Sequence, residues 1–526
     1  MKHELTRALI VLALGALVTP SVSAQVASAH VSGGTVRGVV ADGIAVFKGI
    51  PFAAPPIGEN RWRVPQPVKA WTGVKSADHY APGCMQDPTM MAFIGSDAGV
   101  SEDCLYLDVW TPAEKAGDRL PVMVWIYGGG FAAGATSSPT YAGAGLARLG
   151  VVQVNVAYRV GAFGFLAHTE LSQESGRGSG NYGLLDQIAG LKWVQQNIAA
   201  FGGDPSNVTV FGESAGGISV SMLAASPAAT GLFHRVISES GGSFAPLRTA
   251  DEAGTNVPTL ALAEAAGEKF LRKLGAKSIA EARALPAERV QEAQGPGLGT
   301  GFWPVADGSV VLGDQYVLYE QGRFSDTPIL IGTNSDEGAS FARAGTTAAD
   351  FEATVRAGYG ERADTILAAY PHATDRQASE SAQDLMRDSM FAWPTWAWAR
   401  LHSRHGDHEA FVYYFDHRTP DSPDGATHAA ELGYVFRTLE ARGGNPRPED
   451  LALSELMSRY WTNFAKTGDP NGPGLPPWPA FDEAEQQVIV FDAQVVARRV
   501  PNLEQLEAMD AYFAWRRESA AERRAR

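Results

Sequence analysis

The sequence predicts an α/β fold: a large, mostly parallel twisted sheet flanked by helices and carrying long insertions. Three stretches predict it. Residues 208–220 read V-T-V-F-G-E-S-A-G-G-I-S-V, an apolar β-branched run that stops at a glycine and resumes as a helix-like segment. Residues 121–131 read P-V-M-V-W-I-Y-G-G-G-F, a wholly apolar strand that ends in three glycines. Residues 327–341 read T-P-I-L-I-G-T-N-S-D-E-G-A-S-F, an apolar strand running into an acidic turn. Continuous apolar strands of this kind suit a parallel sheet buried on both faces.

The chain has 526 residues, of which 45% are hydrophobic and 19% charged, an ordinary globular balance. Length alone suggests about three domains. No Ser/Gly/Pro-rich linker, low-complexity segment or internal repeat divides the chain, so residues 25–526 are expected to form a single domain. A net charge of −15 argues against a nucleic-acid partner, which normally meets a basic face.

Residues 1–24 carry the pattern of an export signal. Lys2 and Arg7 precede an apolar run from Ala8 to Val18, and Val22, Ser23 and Ala24 form a small-residue cleavage site. The run is too short to span a bilayer, so no stable membrane anchor is expected. Cleavage after Ala24 would send the protein to the periplasm or the medium. The only two cysteines, Cys84 and Cys104, would then meet an oxidising compartment. One disulfide closing a loop of about twenty residues is expected, worth about 3 kcal/mol on the chain-entropy argument.

The glycines of 121–131 precede the elbow in the chain. Backbone N–H groups at such a turn can meet an oxyanion, with no side chain to obstruct the reacting group. A phosphate-cradling loop would need G-K-[ST], which does not follow. In 208–220, Ser214 stands in G-x-S-x-G between strand and helix, the context of a nucleophile elbow. A serine hydroxyl is a weak nucleophile and needs a base, and the base needs an orienting carboxylate. In the α/β-hydrolase order the acid and the histidine follow the serine. Asp336 and Glu337 are both candidate acids, at the carboxyl end of a strand where such groups gather. Six histidines lie beyond position 340: His372, His402, His405, His408, His417 and His428. Spacing does not choose among them.

Four further segments have readings. G-P-G-L-G-T-G-F-W-P at 295–304 reads either as a mobile rim over a pocket or as a loop anchored by Phe302 and Trp303. His402, His405 and His408 form H-x-x-H-x-x-H, but Gly406 and Asp407 interrupt the helix and no further ligand frames them, so no metal is expected. Leu503, Leu506, Met509 and Phe513 have helical spacing and read as a packed stripe. The Arg-rich end, residues 516–526, reads as a solvated face.

The whole pattern resembles the type-B carboxylesterase family, which includes para-nitrobenzyl-type esterases and the cholinesterases. The likeness runs from about Val36 to Phe481. It rests on F-K-G-I-P-F-A-A-P-P-I-G (47–58), E-D-C-L-Y-L-D-V-W-T-P (102–112), W-I-Y-G-G-G-F, G-N-Y-G-L-L-D-Q (180–187) and F-G-G-D-P-S-N-V-T-V-F-G-E-S-A-G-G (201–217). The resemblance implies an α/β-hydrolase fold with Ser214 as nucleophile, Glu337 as acid and His428 as base. It implies oxyanion N–H groups from Gly129, Gly130 and Ala215, a buried Ser240 supporting the glutamate, and a Cys84–Cys104 disulfide. Cholinesterases stack a quaternary ammonium on a tryptophan of the loop between those cysteines. Here residues 85–103 contain no tryptophan, and Phe93 is their only aromatic.

The expectation is a secreted or periplasmic serine carboxylesterase, free of cofactor and metal, acting on a small-molecule ester through an acyl-enzyme. The rivals are a non-catalytic adhesion-type relative and the same triad acting on lipid, amide or polyester substrates. The sequence carries no signature of an oligomeric state.

Overall fold

The computed structural model describes residues 26–250, 256–441 and 443–525. The expected export signal, residues 1–24, lies outside the described residues. Among those described, an eleven-stranded sheet organises the chain. From one edge its strands are Val39–Ala41, Ile44–Pro51, Tyr106–Thr111, Val152–Val156, Leu120–Ile126, Gly203–Glu213, Arg235–Glu239, Ile329–Asn334, Ala410–Phe415, Gln487–Phe491 and Val496–Arg499. The seven from Val152–Val156 to Gln487–Phe491 pair in parallel. The remaining pairings, toward the two edges, are antiparallel. The expected mostly parallel sheet is therefore present, with antiparallel margins.

Burial explains why the central strands read as unbroken apolar runs. Val122 to Ile126 are all fully buried, as are Val208, Val210 and Phe211 next to them. Helix Ala215–Ala224 follows the strand Gly203–Glu213, and all ten of its residues are buried. Such a helix needs no polar face. Helices Tyr182–Asn197, Trp393–His405 and Pro448–Thr467 also pack on the sheet. No helix among the described residues is long and apolar enough to cross a membrane.

The parallel run has a functional consequence. The turns after Leu120–Ile126, Gly203–Glu213, Ile329–Asn334 and Ala410–Phe415 all leave from carboxyl ends of neighbouring or near-neighbouring strands. Gly129, Ser214, Glu337 and His428 stand on these turns, so residues up to three hundred apart reach one edge of the sheet.

The C-terminal helix, Leu503–Ala525, buries Leu506, Met509 and Phe513 and sets Phe513 against Trp393 at 4.4 Å. The solvated face expected after it is corrected at its first two arginines. Arg516 is buried, and its Nη2 donates to the Leu247 carbonyl. Arg517 pairs with Asp314 at 2.9 Å and lies 4.1 Å over the ring of Tyr316. A guanidinium can cover an aromatic face while its N–H groups stay bonded, so charge alone did not imply exposure. The spaced histidines do not converge on a common point. His402 and His408 both face Asp326, at 3.8 and 3.3 Å, while His405 is exposed at the helix end.

Cys84 and Cys104 form a disulfide with 4.9 Å between their Cα atoms, and both are buried. A parallel pairing of Gly83–Cys84 with Val100–Ser101 closes the same loop. The double variant Cys84→Ser/Cys104→Ser is expected to lose about 3 kcal/mol of stability, read from urea midpoints. A midpoint equal to that of the oxidised wild-type chain would show the bond to be thermodynamically silent.

Candidate active site

Ser214 sits between the elbow strand and helix Ala215–Ala224 at φ 55° and ψ −124°. A residue with a Cβ in that region costs on the order of 1–3 kcal/mol and persists only where its surroundings fix it. The Ser214 N–H donates to the Glu239 carbonyl of the next strand at 2.9 Å, and the Ser214 carbonyl accepts from Ile218 N at 2.8 Å. Gly216 fits against the sheet so closely that an added Cβ would stand 2.0 Å from the Ile126 carbonyl oxygen. An added Cβ on Gly212 would stand 2.6 Å from the same oxygen, so backbone contact requires both motif glycines. Strain gathers here. Of the ten residues other than glycine with positive φ among those described, Ser214 and Ser240 are candidate site residues and Phe131 and Ala429 adjoin others.

The glycine turn after Leu120–Ile126 places Gly129 and Gly130 at φ 107° and 61°. The Gly129 carbonyl accepts from Ala132 N and Ala133 N, both at 3.0 Å, which folds the turn back on itself. No acceptor among the described residues takes the N–H groups of Gly129, Gly130 or Ala215. Three donors are therefore available at the strand ends beside Ser214.

Glu337 is fully buried at the turn after Ile329–Asn334. Its Oε1 accepts from Ser240 Oγ and, at 2.8 Å, from Asn334 N. Its Oε2 lies 2.5 Å from His428 Nδ1. Pairing of Asp336 with Thr427 brings the two turns together, reinforced by Asn334 Nδ2 donating to the Thr427 carbonyl at 2.9 Å. Asp336, the other candidate acid, is half-buried and bonds through its backbone to Ala426. The other histidines lie elsewhere: His372 on the Tyr370 carbonyl at 2.8 Å, His417 on Asp450 at 2.6 Å.

Glu213, which the sequence reading passed over, lies between these parts. Its Oε1 approaches His428 Nε2 to 3.1 Å, yet accepts no hydrogen bond there. The approach is electrostatic. Gly128 makes the room, because a Cβ there would lie 2.7 Å from Glu213 Oε2. Two rings frame the imidazole, Phe391 at 4.7 Å and the partly exposed Phe341 at 4.9 Å. The only hint of Glu213 in the sequence was a carboxylate between the strand's buried Phe211 and the elbow serine.

Burial would depress the His428 imidazole, but the carboxylates of Glu213 and Glu337 outweigh it and hold its pKa above the ordinary value. Burial pushes Glu213 up, partly opposed by His428, and it also raises Glu431 and Glu239 nearby. Glu431 accepts from Asn334 Nδ2 at 2.5 Å, and Glu239 from Trp461 Nε1 at 2.7 Å.

A serine on a strained turn, an imidazole held by a buried glutamate and a set of backbone donors, all at the carboxyl edge of a parallel sheet, define an α/β-hydrolase. The chain belongs to the carboxylesterase family, whose profile matches residues 23–509. It is 37% identical to the fumonisin B1 esterase of Sphingopyxis macrogoltabida over 493 residues, covering 89% of this chain and 86% of that protein. It is 35% identical to the para-nitrobenzyl esterase of Bacillus subtilis (strain 168), covering 90% and 97%. A solved PNB esterase superimposes with a TM-score of 0.78 at 34% identity, over 91% of this chain and 99% of the other. A thermophilic PNB esterase gives 0.80 at 33%, with the same coverage. The protein is accordingly an enzyme of ester hydrolysis, and its substrate class is small-molecule carboxylic esters.

Replacing Glu213 by Gln removes a negative charge 3.1 Å from the imidazole. Loss of that charge disfavours the imidazolium and lowers its pKa, so the neutral base persists to lower pH. The acid limb of kcat/KM against pH, measured with p-nitrophenyl acetate, is expected to move to lower pH in Glu213→Gln. A limb that stays in place or moves up would contradict the assigned electrostatics.

Proposed function

We propose that the enzyme is a serine carboxylesterase working through an acyl-enzyme, with Ser214 as nucleophile, His428 as base and Glu337 as orienting acid. The observation that carries this reading is the 2.5 Å contact of Glu337 with His428 Nδ1, on a histidine that Glu213 draws against the elbow. Glu337 fixes the tautomer in which Nε2 is free of its proton and stabilises the cation formed later. His428 takes the Ser214 proton as the hydroxyl attacks the ester carbonyl. The oxyanion is met by the N–H groups of Gly129, Gly130 and Ala215. Collapse of the tetrahedral species releases the alcohol, protonated by His428. Water, deprotonated by the same imidazole, then cleaves the acyl-enzyme and returns the proton to Ser214. Ser240 keeps the glutamate oriented through its hydroxyl. The scheme requires neither metal nor organic cofactor.

The export pattern of residues 1–24 supports a periplasmic or secreted enzyme, with residues 25–526 acting as one α/β-hydrolase unit. The buried disulfide agrees with an oxidising compartment. The names of the relatives, a fumonisin B1 esterase and para-nitrobenzyl esterases, support carboxylic esters as substrates over amides or polyesters.

Ser214→Ala is expected to lower turnover of a p-nitrophenyl ester by about 10⁶, as in other triads, and to abolish labelling by an organophosphonate. Near-full activity in the folded variant would sink the assignment of Ser214.

A further inference from the structure

The glycine-rich segment 295–301 passes over the candidate oxyanion turn. Leu298 is 43% exposed, and its Cβ stands 3.7 Å from the place a Cβ on Gly130 would occupy. The segment has little structure of its own. Gly295, Gly297 and Gly301 have φ of 96°, 70° and 77°. Among the described residues, one hydrogen bond ties residues 296–301 to another part of the chain: Gly297 N donates to Asp87 Oδ2 at 3.0 Å. The other oxygen of Asp87 caps helix Pro88–Phe93, accepting from Thr89 N at 3.0 Å and Thr89 Oγ1 at 2.9 Å. That helix belongs to the loop closed by Cys84–Cys104.

The same loop grips the oxyanion turn from the other side. The buried Gln86 side chain accepts from Gly134 N at 2.9 Å and donates to the Gly134 carbonyl at 2.8 Å. Ser96 and Ser137 hydroxyls meet at 2.6 Å, and Ser138 Oγ donates to the Ile94 carbonyl at 3.0 Å. The disulfide loop is therefore a bracket fixed to the floor of the site, and Asp87 carries its hydrogen bond to the roof.

We propose that Asp87 is a positioning residue for ester selectivity: it holds Leu298 over Gly130 and so sets the clearance beside the scissile carbonyl. Backbone amides in a glycine-rich segment without this tie would sample many conformations. The inference rests on the esterase reading only for its kinetic arm. In Asp87→Ala, turnover of p-nitrophenyl acetate is expected to stay within about twofold, while the ratio of kcat/KM for long over short p-nitrophenyl acyl esters rises about fivefold. Leu298→Ala should give the same change, and the double variant no more than either alone, because both act through one side chain. An additive double variant, or an unchanged ratio, would overturn the proposal.

Hydrogen exchange supplies the arm independent of catalysis. In the wild-type chain the Gly297 amide should exchange about tenfold more slowly than Gly299 and Gly301. Equal exchange would overturn the latch even if Asp87→Ala fails to fold. Slow exchange in a chain that hydrolyses no ester would instead retain the latch and defeat the esterase reading.

Discussion

The site depends on one backbone contact, the seating of Gly216 against the end of strand Leu120–Ile126. Helix Ala215–Ala224 can start where it does only because Gly216 has no Cβ to strike the Ile126 carbonyl, 2.0 Å away from where one would be. That close seating, together with the hydrogen bond from Ser214 N to Glu239, holds Ser214 at positive φ. The strain is of order 1–3 kcal/mol. A chain with a well-packed parallel sheet on either side can sustain it, whereas an isolated turn would relax. The same contact fixes the distance between the elbow and the glycine turn that leaves from Ile126, so the proposed nucleophile and the proposed oxyanion donors are positioned by one element of packing.

A second constraint is charge. Glu213, Glu239, Glu337 and Glu431 are all buried around His428. Four ionised carboxylates in so small a volume would repel, and burial itself opposes ionisation. Glu337 is supplied with hydrogen bonds from Ser240, Asn334 and His428. Glu213 has no donor to its Oε1, and Glu239 and Glu431 each keep one oxygen without a hydrogen bond among the described residues. The pKa values of Glu213, Glu239 and Glu431 are accordingly raised. Burial thus biases Glu239 and Glu431 toward the neutral form, whereas at Glu213 the facing imidazole of His428 opposes that bias. The arrangement allows the imidazole to sit deep in the protein without surrendering its affinity for a proton.

The walls of the site follow a different logic from its chemistry. The groups proposed to react stand on turns from rigid strands, which gives them precision. The segment around Leu298 has almost no internal hydrogen bonding and takes its position from a neighbour. The disulfide loop serves as that neighbour, gripping the oxyanion turn through Gln86 and the overlying segment through Asp87. Chemistry and selectivity are thus carried by parts of unequal stiffness.

The sequence by itself determined the sheet, the elbow and the glycine turn. Apolar β-branched runs, glycines and a strand-to-helix switch are local signals that need no distant partner to be read. It also determined the disulfide, since two cysteines allow one pairing. The proposed acid and base were different. Asp336 and Glu337 are adjacent, and nothing local separates His428 from five other histidines; only family likeness pointed to one of each. Tertiary structure brings one of each together, by pairing the turn at Asp336 with the one at Thr427, which lays Glu337 against His428. It alone revealed Glu213 at the imidazole, the buried arginine of the C-terminal helix and the tie between Asp87 and Gly297. Each of these depends on contacts between residues tens to hundreds of positions apart, and a linear pattern contains no term for such contacts.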